Sequence, residues 1–94
     1  MGASLPALAA DRWEYQGIAS TGEKVYLNLD SVKFFGRGGY FFTYQIGRDR
    51  PGAYTPCDGR FQVEGADGEF KPLMKPQSRA TQNMLDRVCS FPKP

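Results

Sequence analysis

Large apolar and polar side chains alternate through most of the first three quarters of the chain, and Gly, Pro, Asp and Ser interrupt the pattern repeatedly. A period of two broken in this way predicts short, half-buried strands. Trp13 and Tyr15 alternate with Glu14 and Gln16, and Ser20-Thr21-Gly22 closes this first segment. Residues 24–30 set Val25, Leu27 and Leu29 against Tyr26, Asn28 and Asp30, with a turn or break at Asp30-Ser31. Val32 and Phe34 continue as a third strand up to Gly36-Arg37-Gly38-Gly39, whose glycines permit the positive φ values of a tight hairpin. Residues 40–46 carry the strongest pattern, with Tyr40, Phe42, Tyr44 and Ile46 on one face and Phe41, Thr43 and Gln45 on the other. A polar loop at 47–52 leads into an expected strand over 54–63, which carries Cys57, Phe61 and Val63 and is kinked or held at an edge by Pro56 and Gly59. Beyond the turn Gly65-Ala66-Asp67-Gly68, residues 69–73 read as a short last strand, and Pro72 places it at an edge.

After Pro76 the period becomes helical. Ser78 is a candidate N-cap; Ala80, Met84, Leu85, Val88 and Cys89 form one stripe, Arg79, Gln82, Asn83, Asp86 and Arg87 the other, and the helix ends before Pro92. The elements predict an α+β domain: an antiparallel sheet of five or six strands with one C-terminal helix packed on one face. A helix covers one face only, and aromatic residues fall on both faces of several strands, Phe41 opposite Phe42 and Phe34 beside Phe35. Apolar surface is therefore left for a protein partner or a second copy of the chain. Phe41, Tyr54 and the loop residues Arg48 and Arg50 are the candidate binding surface, since aromatics and arginine dominate interface hot spots; the competing reading is scattered exposed aromatics without a partner.

Composition narrows this picture. At 94 residues the chain has room for one domain, expected over 11–94. With 40% hydrophobic residues, 14% aromatics and a net charge of +2, it lies outside the range of disordered segments. Nucleic acid is not an expected partner, because strong phosphate binders cluster Lys and Arg on one face and reach a pI above about 9, against about 8.6 here. The stretch from Gly36 to Phe42 lacks the spacing and the following helix of a phosphate cradle, and it fits the aromatic RNA-binding motif poorly. The chain has no histidine, which excludes Ser-His-Asp and Cys-His nucleophile systems and removes the commonest metal ligand. No catalytic residue, metal or cofactor is expected; Asp30, Asp58 and Asp86 read as turn or solvated-face acids. No apolar run approaches the 18 or so residues of a membrane-spanning helix.

The two cysteines, Cys57 and Cys89, stand 32 positions apart. That separation suits one long-range disulfide better than a metal or redox site, both of which favour Cys-x-x-Cys; two buried free thiols in a cytosolic protein are the alternative. Residues 1–10 are small and apolar up to Asp11-Arg12, and Ala7-Leu8-Ala9 fits the small-residue pattern of an export cleavage site. They are expected to be a signal-peptide remnant or an unstructured start, which points to a periplasmic, cell-surface or secreted protein.

The order of these features resembles the surface-adhesin E-like family of small exported bacterial proteins. The resemblance rests on the early Trp13, on Val25-Tyr26-Leu27-Asn28-Leu29-Asp30-Ser31-Val32 in the place of that family's extended Tyr-to-Ser-Val element, and on an aromatic strand at Tyr44. It rests further on Cys57 followed by Gly59-Arg60-Phe61, and on Pro76-Gln77-Ser78 leading into a helix that ends Val88-Cys89. It implies an antiparallel sheet backed by a C-terminal helix, export, dimerisation in some members, and binding to host matrix or plasma proteins. No host-ligand motif matches, so the ligand does not carry over. The expectation is a small exported, disulfide-containing binding module of the bacterial envelope or surface, adhesin-like or accessory, and not an enzyme. A cytosolic nucleic-acid-binding or regulatory interaction domain is the alternative, and a histidine-free hydrolase would need two acids facing each other in a cleft.

Overall fold

The computed structural model describes residues 11–93, so the expected export remnant at 1–10 lies outside the described residues. Six strands form the sheet: β1 (Trp13–Ile18), β2 (Lys24–Asn28), β3 (Lys33–Phe34), β4 (Tyr40–Ile46), β5 (Gly52–Thr55) and β6 (Gln62–Val63), followed by the helix α1 (Arg79–Val88). All pairings are antiparallel in the order β1-β2-β4-β5-β6, with β3 also paired to β4. The expected antiparallel sheet with one C-terminal helix is the fold of the chain.

The strand β4 organises the core because its even positions point at the helix side: Tyr40, Phe42 and Tyr44 are buried there with Val25, Leu27, Ala53 and Phe61. From the helix come Ala80, Met84, Leu85 and Val88. A ten-residue helix is marginal in isolation, so this packing, at about 1.5–3 kcal/mol for each large apolar side chain fully buried, is what holds α1. Ser78 caps it as expected, its hydroxyl accepting from the Thr81 N–H while the Thr81 hydroxyl accepts from the Ser78 N–H. Gly17, at φ +131° beside an irregularity in the β1–β2 register, lets the helix come close: a Cβ there would lie 3.2 Å from that of Ala80.

Three details differ from the expected pattern, and a fourth settles a face that alternation left open. Residues 29–31 do not extend β2 but form a single 3₁₀ turn, capped by the Asn28 side chain. The reason is a gap in the ladder: β2 pairs with one end of β4 and β3 with the other, and between them the Ser31 hydroxyl accepts from the Thr43 N–H at 2.7 Å. The expected strand over 54–63 is two strands, β5 and β6, joined by a loop in which Cys57 has φ +62° and Asp58 accepts from the Arg60 N–H. Residues 69–73 form no strand: Phe70 makes an isolated bridge with Glu64, and a second bridge, Phe61 with Met74, lies just beyond them. On β1 it is Glu14 and Gln16 that face the helix: the Asn83 amide donates to the Gln16 backbone carbonyl and Arg87 to the Glu14 carboxylate.

Cys57 and Cys89 are bonded, with sulfurs 2.04 Å apart. Cys89 caps the last turn of α1, so the bridge ties the helix end to the β5–β6 loop. Nearby, the Tyr40 hydroxyl donates to the Phe91 carbonyl at 2.5 Å, anchoring the chain beyond the helix to β4.

Candidate functional site

Because α1 lies on one face, the odd positions of β4 face away from it. Partner residues across antiparallel strands share a face, so the register places Lys33, Phe41, Tyr54 and Gln62 in one row across β3, β4, β5 and β6 on the open side. Around this row four aromatic rings come together. Phe41 packs against Tyr54 with ring centroids 5.1 Å apart, Phe35 lies 4.8 Å from Phe41 and 5.9 Å from Tyr54, and Phe70 lies 6.0 Å from Phe41. Phe35 and Phe70 are 54% and 41% exposed, which leaves half of this cluster in water.

Two glycines make room for it. Neither Gly39 nor Gly52 has a positive φ, yet a Cβ at Gly39 would lie 2.7 and 2.8 Å from the Tyr54 ring carbons Cζ and Cε1. The Tyr54 ring therefore lies on bare backbone. At Gly52 a Cβ would meet the Glu64 Oε1 at 2.9 Å, so that carboxylate covers the strand where a side chain would otherwise stand.

Of the residues expected to bind, Phe41 and Tyr54 are the centre of the cluster. Arg50 belongs to a second group on the same face: its guanidinium sits 4.9 Å from the Trp13 ring centroid and its Nε donates to the Gln45 Oε1 at 2.8 Å. Tyr15 and Tyr26 extend that group, with centroids 5.4 Å apart. Arg48 is exposed in the β4–β5 turn, away from both groups. Phe35 and Phe70 were not singled out by the sequence. The doublet Phe34-Phe35 is the one local signal for Phe35, whereas Phe70 reaches the face only through its bridge to Glu64.

The acids read as turn or surface groups occupy such positions. The Arg12 guanidinium and N–H both donate to Asp30, holding its carboxyl below the usual range, and Arg60 does the same to Asp58. Asp86 accepts from the Gln82 amide. Tyr44 borders a shallow hollow of about 630 Å³ between the β4–β5 turn and residues 63–66, and burial pushes its hydroxyl up to about 12. Among the described residues no group of three or more Cys, Asp or Glu side chains is placed to hold a metal ion, and no helix is long and apolar enough to cross a membrane.

Compared with known proteins, the chain matches no family model, no curated protein and no solved structure.

Proposed function

We propose that the protein is a small exported binding module of the bacterial envelope or surface, adhesin-like or accessory in kind, which engages a protein partner through its open sheet face and carries no catalytic activity. One observation carries the reading: the Phe35, Phe41, Tyr54 and Phe70 rings are assembled on the face that the helix leaves uncovered. A packed aromatic group half in water has the composition of an interface centre, where aromatics contribute most of the binding energy. The disulfide is consistent with an oxidising, extracytoplasmic compartment, since such bonds do not ordinarily persist in a reducing cytosol.

The reading is tested in the producing cell with a photo-crosslinking phenylalanine analogue placed at Phe35 or Phe70, and at exposed Asp86 on α1 as the control. The expected result is an extracytoplasmic protein that crosslinks to one discrete partner from Phe35 and Phe70 but not from Asp86. Equal crosslinking from both faces, or a reduced protein confined to the cytosol, would contradict the proposal.

A further inference from the structure

Beside the aromatic cluster runs a shallow groove of about 400 Å³. Asp11, Asp30, Glu64, Lys33, Phe41 and Phe70 are among the residues that line it. Its volume falls within the range of about 300–1,000 Å³ usual for ligand clefts. Asp30 is already engaged by Arg12, whereas Asp11 and Glu64 form no ion pair among the described residues. The Glu64 carboxylate is held over the bare backbone of Gly52, beside the ring that reaches the face through the Glu64–Phe70 bridge.

We propose that this groove takes an arginine side chain presented by an extended segment of the partner protein. The inference rests on the binding role given to the open face and names the chemistry that face selects. A phosphate or carboxylate ligand would meet Asp11 and Glu64, neither of them ion-paired among the described residues, with only Lys33 in its favour. A purely apolar side chain would cover those carboxylates without giving them a partner, which is costly. A metal ion needs ligands closer together than these acids are. A guanidinium answers both features of the groove, stacking its plane on an aromatic face while donating paired hydrogen bonds to a carboxylate. The same face already holds a related contact made within the chain, where the Arg50 guanidinium lies over the Trp13 ring and donates one hydrogen bond to the Gln45 amide oxygen. A segment, in preference to a free small cation, fits a groove that is shallow and that borders the Phe41 ring of the cluster, where the residues flanking the arginine would pack.

The test titrates the full-length, ¹⁵N-labelled protein with a blocked Gly-Tyr-Arg-Tyr-Gly peptide, with the same peptide carrying Glu for Arg, and with arginine amide. The arginine peptide is expected to shift the amides of Thr43, Gly52, Glu64 and Phe70. Glu64→Gln combined with Asp11→Asn should weaken it about tenfold, the loss of one charge-assisted hydrogen bond, and Lys33→Gln should strengthen it by removing a like charge. Equal binding of the glutamate peptide, or an affinity indifferent to the carboxylate variants, overturns the arginine assignment. If the Phe35 and Tyr54 amides still shift in that case, the open face remains a binding face; no shift on that face with either peptide overturns the arginine assignment and leaves the binding role to the crosslinking result. Arginine amide binding as tightly as the peptide overturns the assignment to a protein segment.

Discussion

Gly39 has ordinary backbone geometry, so its lack of a side chain matters for space alone: the Tyr54 ring occupies the position of its Cβ. Gly39→Ala should therefore destabilise the protein by about 1–3 kcal/mol, the usual range for inserting a methyl group into a packed site. It should also push Tyr54 off Phe35 and Phe41, seen as loss of ring-to-ring proton contacts by NMR. In a Tyr54→Ala background the same substitution should cost little, and an undiminished cost there would locate the strain elsewhere. At this scale much was legible in the chain. Alternation alone put Phe41 and Phe42 on opposite faces, and the structure has Phe42 in the core and Phe41 on the open side. Alternation placed Trp13 and Tyr15 together but could not say on which side of the sheet they lie, since that depends on the β1–β2 register, in which Glu14 is paired with Leu27 and Tyr15 with Tyr26.

Among the elements, β4 and α1 were legible because each has a long uninterrupted period and a clear signal at its ends. The failure at 54–63 has a local cause: Pro56 and Gly59 signal an interruption that a kinked strand would also explain, but Cys57 adopts a left-handed conformation and Asp58-Gly59-Arg60 makes a turn, so the interruption is a loop between two strands. That loop matters because the disulfide binds it to the end of α1. On the chain-entropy model a bridge closing this loop contributes roughly 3–4 kcal/mol, a large share of the 5–15 kcal/mol typical of a whole domain. Reduction by a dithiol, or replacement of Cys57 and Cys89 together by serine, should thus lower the urea midpoint substantially. An unchanged midpoint would mean that the Tyr40–Phe91 hydrogen bond and the helix packing hold the C-terminal region without the bridge.

For the whole molecule, the absence of histidine fixes how stability responds to pH. No side chain with an ordinary titration range between pH 5 and 8 remains, so the melting temperature should be nearly flat there. The carboxyls of Glu14, Asp30 and Asp58 are held below their usual values, Glu14 first by the Gln16 amide and then by Arg87, the other two by their arginine partners. Such groups bind protons more readily in the unfolded chain, so the stability they lend is present at neutral pH and is lost as the pH falls below about 4. Tyr44 works at the other end. Its folded value of about 12, against 10.0 for the free group, means that the unfolded chain releases this proton first. Stability should fall between pH 10 and 12, and thermal melts of Tyr44→Phe should lose part of that alkaline decline. An identical decline in the variant would assign it to other groups.

The sequence by itself determined the α+β class, the β4 strand, the helix and its cap, because each is written in local periodicity and end signals. Tertiary structure alone decided which face stays open and which aromatic residues meet on it. Phe35, Phe41, Tyr54 and Phe70 lie in four different stretches of chain, and their convergence follows from strand order and register. Those are set by the packing of α1 on β1 and β2 and by the burial of the even positions of β4 in the same core, a non-local balance that alternation within any one segment does not contain.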